Sequence, residues 1–215
     1  GFYSPASLIK DAQRHGVAVL PIDVLHSKWL CDLESKRCRA SGYFLSGYLG
    51  NRRAPADSLN NLTKNNLTPG TAVRLGLRFV RGLRVESARR IEVARGERPF
   101  AHVGDLARRA ELSRAELLTL AELGALASID ADASSRRAAL WQVAALERDP
   151  RSLFAGASPP AAASPLPEMS ALEETLADYR ASGVSTGPHV MAHLRERLAQ
   201  RGVLSATALR DVPNG

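Results

Sequence analysis

With 215 residues, 45% hydrophobic and 24% charged, the chain carries enough apolar material for one sizeable core or two small ones, which excludes a wholly disordered polypeptide. It has no run of about 18 apolar residues and no basic-then-apolar leader, so neither membrane insertion nor export is expected, and a cytoplasmic location follows. The formal charge of +7 suits a polyanionic partner, and two cysteines, Cys31 and Cys38, are too few to staple a domain of this size and are expected as free thiols.

Along the chain, Ser4-Pro5 opens a helix whose apolar residues Leu8, Ile9 and Ala12 share one face, and Gly16 stops it. Val17 to Val24 is mostly apolar and predicts a short strand, at an edge or buried, interrupted by Pro21. From Glu34 to Gly70 glycines, Pro55 and the turn formers Asn60, Asn61, Asn65 and Asn66 break every periodicity, so 34–70 is expected to be an irregular polar insertion, with Tyr43 to Leu49 a candidate hairpin.

Helical spacing resumes at Ala72 and runs to Ile129, where five short helices fit. Ser113 with Glu116, and later Ser170 with Glu173, have the spacing of capping boxes. A helix over Arg136 to Leu146 precedes a linker containing Pro159, Pro160, Pro165 and Pro167. Gly187-Pro188 starts a last helix that Gly202 ends, and this C-terminal portion is expected to be loosely attached.

Charge is not spread evenly. Between Thr71 and Ala110 lie ten arginines against four acids, so +6 of the net +7 sits there, where a polyanion would bind. Within it, Leu77, Val80, Gly82, Leu83, Ala88 and Ile91 follow the spacing of a helix-hairpin-helix. A glycine at the bend permits a turn that a β-carbon obstructs, so backbone N–H groups there and at the next helix's N-terminus can face one phosphate oxygen. The candidate DNA-binding residues are therefore Val80, Arg81, Gly82, Leu83, Arg84, Arg78 and Arg89. An ordinary helical hairpin whose glycine is only a cap has the same spacing, and the local charge favours DNA. A second, degenerate copy ends at Gly124-Ala125-Leu126 with Glu122 and no arginine beside its turn, so it is expected to be structural.

The ordered set Gly1 to Val17, Arg74 to Leu77, Val80 to Arg84, Arg98-Pro99-Phe100, Asp105 to Arg109 and Gly124 to Leu126 resembles bacterial C-family DNA polymerases of the DNA polymerase III α type. Arg137 to Trp141, Asp178 to Gly183 and Gly187-Pro188-His189 are similar to the error-prone branch of that family. The resemblance implies a mainly α chain: the end of a fingers region with a small α/β segment over 1–33, the insertion 34–70, and a tandem helix-hairpin-helix domain over 71–130. A helix and Pro/Ala linker over 131–168 and a helical connection over 169–215, leading toward an absent OB-fold, complete it. It also implies a non-catalytic part of a nucleotidyltransferase that holds primer–template duplex during damage-induced synthesis, together with other mutagenesis proteins. The sequence departs from the family pattern in two places. Arg84 stands where replicative relatives often carry a second hairpin glycine, and 34–70 is longer and more polar than expected.

No set of carboxylates suited to holding two metal ions is evident, and the resemblance places the catalytic aspartates upstream. The fragment is expected to need no cofactor, with Mg belonging to the full polymerase, and to be inactive alone. Asp130 and Asp132 read as a solvated turn, and His26, Cys31 and Cys38 match no common zinc spacing. Trp29 and Trp141 are expected as core anchors, His15 and His189 as helix-end residues. Two other readings stay open: a helical adaptor docking an acidic protein of the repair machinery, and a helix-hairpin-helix module of another repair enzyme.

Overall fold

A computed structural model describes residues 2–35, 71–129, 133, 135–146 and 164–211. The first helix, α1 (Pro5–Arg14), begins where Ser4 Oγ accepts from Ser7 N–H and ends at His15, whose Nδ1 lies 2.9 Å from Asp11 O. Gly16, at φ 81°, turns the chain into β1 (Ala18–Leu20). The strand is shorter than the apolar run predicts because Pro21 has no N–H to continue a ladder; Ile22 and Val24 are instead buried in the turn that follows. Two further strands, β2 (Asp32–Ser35) and β3 (Thr71–Arg74), complete a sheet of order β1-β3-β2, parallel between β1 and β3 and antiparallel between β3 and β2.

Residues 71–74 are thus extended, not the start of a helix, and β2 runs across the expected boundary between 33 and 34. Arg74 fixes this corner: its guanidinium pairs with Glu34 and its Nη1 donates to Pro21 O at 3.0 Å. A 3-10 turn (Leu77–Phe79) leads to α2 (Val85–Glu97), α3 (Val103–Arg109) and α4 (Arg114–Glu122), three α-helices and one tight turn where five helices were expected. The reason for the difference is pairing over long sequence distances, which four residues such as Thr-Ala-Val-Arg do not announce locally.

The core runs through these elements. Leu77, Val80, Leu83, Ala88 and Ile91 are all buried, as the hairpin spacing requires, and Leu106, Leu117, Leu120 and Leu126 extend the same cluster. Full burial of each of the larger side chains contributes about 1.5–3 kcal/mol. The α2 helix is tied to the 23–27 turn by Arg95, which donates to Val24 O and Ser27 O at 2.8 and 2.7 Å.

Among the described residues three α-helices follow, α5 (Arg136–Ala145), α6 (Ala171–Ala181) and α7 (Val190–Gln200), and a 3-10 turn (Ala208–Asp211). The C-terminal portion is attached as far as Gly187, while α7 beyond it buries no residue, as a loose connection would have it. Ala181 and Val184 join the core, Gln13 Nε2 donates to Thr186 O at 2.8 Å, and Lys10 Nζ donates to Gly187 O. The capping box at Ser170 and Glu173 and the start of α7 at His189, whose ring accepts from Met191 N–H, are as expected. Trp29 is partly buried against the core, but Trp141 is 39% exposed, because α5 turns Ala139 and Val143 inward instead. The Tyr43 to Leu49 hairpin, the Asp130/Asp132 turn, Cys38 and the linker up to residue 163 lie outside the described residues.

Candidate nucleic-acid interface

The Val80 to Arg84 bend is built from both sides. Val80 N–H donates to Leu77 O at 2.9 Å and Leu83 N–H to Val80 O at 3.2 Å, and their buried side chains pin the bend to the core. Between them, Arg81 and Gly82 stand exposed, and Gly82 adopts φ 78°. That left-handed conformation costs a residue with a β-carbon about 1–2 kcal/mol. A β-carbon at Gly82 would meet nothing within 4 Å, so the space in front of the bend is open.

The amides are where the geometry becomes informative. Arg81 N–H donates to Ala181 O at 2.8 Å and Arg84 N–H to Glu116 Oε1 at 3.3 Å. Among the described residues, nothing accepts from the N–H groups of Gly82, Val85 or Glu86, and the N-cap residue Arg84 makes no side-chain cap bond to α2. Free N–H groups at an exposed bend and the first turn of a helix form a concavity of partial positive charge suited to an anion.

The arginines divide into two kinds. Arg98, Arg108 and Arg109 all converge on the buried carboxylate of Asp105, and Arg109 also lies 5.0 Å from the Phe100 ring centroid. Arg90 is bonded to Ala110 O, and Arg74 and Arg95 are committed as described. Of the ten arginines in this segment, only Arg78 and Arg89 have guanidinium groups without a partner among the described residues; both are exposed. The sequence-level charge excess therefore overstates what is available to a ligand.

Arg84 is intermediate: its Nε contacts Glu116 at 3.2 Å, yet the side chain remains 63% exposed. Glu116 was read only as the capping-box residue of α4. It does hold that box, accepting from Ser113 N–H at 2.8 Å, and it also holds the N-cap amide of α2. Burial acts to raise its pKa, but hydrogen bonds from Ser87, Ser113 and Arg84 outweigh burial and hold it at about 2. Nothing in the sequence spacing could reveal the second role, since it depends on how α4 meets α2.

The second bend differs in kind. Its Gly124 faces the Arg136 side chain, and Arg136 Nη1 donates to Glu122 O at 2.9 Å and to Asp178 Oδ1 at 2.7 Å. A guanidinium of the protein itself covers that turn. Among the described residues, no three or more His, Cys, Asp or Glu side chains stand where they could hold a metal ion.

The helix-hairpin-helix motif family matches residues 16–139. The chain belongs to that family. The match begins well before the hairpin, because β1 and the 23–27 turn pack on it. The chain is also 43% identical to an error-prone DNA polymerase of Azoarcus sp., 42% identical to one of Burkholderia pseudomallei and 40% identical to one of Pseudomonas fluorescens, in each case over its whole length. It spans only 17–19% of the length of these curated relatives. The helix-hairpin-helix thus sits within a mainly helical chain bearing one small sheet, and no described helix is long and apolar enough to cross a membrane.

Proposed function

We propose that this chain is the non-catalytic, duplex-gripping part of an error-prone DNA polymerase acting in translesion synthesis in the cytoplasm. The observation that carries the reading is the exposed Gly82 bend with the unpartnered amides of Gly82, Val85 and Glu86. These would hold a phosphate oxygen of the duplex behind the primer terminus, with Arg78, Arg81, Arg84 and Arg89 adding charge on neighbouring phosphates. Such contacts carry no base information, so binding is indifferent to sequence. The chemistry, its Mg ions and the other proteins of a mutagenesis complex belong to the larger assembly, and the chain alone does not polymerise.

Fluorescence anisotropy of a labelled duplex at rising salt tests this. Log affinity should fall linearly with log salt, with a slope of about −0.9 for each phosphate neutralised. Gly82→Asp should abolish binding, because it strains the bend and sets a carboxylate where the phosphate would sit. Affinity that ignores salt, or that survives Gly82→Asp, would refute the reading and favour a protein-docking role for the same face.

A further inference from the structure

We infer that the interface extends past the hairpin onto the end of α6, where Arg180 is a further phosphate-contacting residue; this rests on the reading of the Gly82 bend as a DNA contact. The C-terminal end of a helix ordinarily repels phosphate, since its last four carbonyls have no helical partner and carry partial negative charge. In α6 each of those four is covered. Asp178 O accepts from Ser182 N–H at 2.8 Å and Tyr179 O from Gly183 N–H at 3.1 Å. The other two are covered by the hairpin: Arg180 O accepts from Arg81 Nη1 at 2.9 Å, and Ala181 O from Arg81 N–H at 2.8 Å.

Arg81 therefore seals the negative pole of α6 and seats that helix end directly beside the bend. What remains exposed there is positive. Arg180 is exposed on the outer stripe of α6 with Glu173 and Leu176, on the side away from the buried Asp178, and its guanidinium has no hydrogen bond or ion pair among the described residues. The acids nearest in sequence are engaged elsewhere, Asp178 with Arg136 and Ser185, Glu174 with Arg136 and Glu173 with Arg137. Arg81, bonded to the carbonyl end of α6, and the exposed Arg180 thus belong to the same helix end, and together they would serve the phosphate following the one at Gly82. The placement is fixed from behind: Arg136 and Ser185 anchor Asp178, and Lys10 and Gln13 hold the strand beyond at Gly187 and Thr186.

Anisotropy titrations of the 215-residue chain on a labelled duplex, at several salt concentrations, separate the possibilities. Arg180→Gln should weaken binding severalfold and make the salt slope shallower by about 0.9, one phosphate's worth, while Arg180→Lys restores the slope. Thermal melting of each variant excludes a structural cause, since only Arg180→Gln should change the slope at equal fraction folded. If Arg180→Gln binds with the wild-type slope while Gly82→Asp abolishes binding, the hairpin reading stands and the role of Arg180 is overturned. If wild-type binding ignores salt or survives Gly82→Asp, both are overturned.

Discussion

Glu116 and Glu86 show how two carboxylates near one bend come to opposite ends. Glu116 is buried and surrounded by donors, so its folded pKa lies at about 2, below the ordinary carboxylate value. A group with a depressed folded pKa contributes stability that is present above its unfolded value, near 4.5, and lost as pH falls through about 2. Glu116→Gln should lower stability at neutral pH by about 1–3 kcal/mol, as expected when a buried hydrogen-bonded charge is removed. The gap between variant and wild type should close between pH 4.5 and 2, which urea midpoints across that range will read. Glu86, exposed in the first turn of α2, favours the helix dipole but opposes an incoming phosphate. Glu86→Gln should therefore bind duplex severalfold more tightly at low salt, with the advantage shrinking as salt rises; unchanged affinity would place the DNA elsewhere.

At the scale of elements, the hairpin is positioned by a contact of backbone on backbone. Leu77 N–H donates to Lys28 O at 2.8 Å and Arg78 N–H to Trp29 O at 3.1 Å, and a β-carbon on Gly76 would stand 2.5 Å from Trp29 O. Gly76 is required for lack of room rather than for an unusual dihedral, since its φ of −80° suits any residue. Gly76→Ala should cost about 1–3 kcal/mol, typical of overpacking, and lower the melting temperature without changing the salt slope of whatever folded protein remains. The bend itself was legible in the sequence because its glycine and apolar spacing act within about fifteen residues. Of the sheet only β1 was legible: β2 and β3 are four residues long, and the paired residues stand 36 to 54 positions apart in the chain. Glu116 as a second cap, and Arg81 as the cap of α6, were hidden for the same reason.

For the molecule as a whole, the excess of +6 between Thr71 and Ala110 is not all free to meet a ligand. Asp105 alone draws in Arg98, Arg108 and Arg109, and Arg95 serves two main-chain carbonyls. Net charge counts residues, while a ligand meets only guanidinium groups that tertiary contacts have left over, and no composition reports which those are. The attachment of the C-terminal portion escaped notice likewise, since Lys10 and Gln13 reach partners more than 170 positions away. The covered second bend has its own consequence. With Arg136 lying over Gly124, the Gly82 bend is left open and the Gly124 bend is covered. On the proposed reading, one amide cradle with arginines around it holds the duplex from one side, and moving on by one nucleotide breaks a single cradle at a time, so the same fold would restrain a duplex and still let it pass.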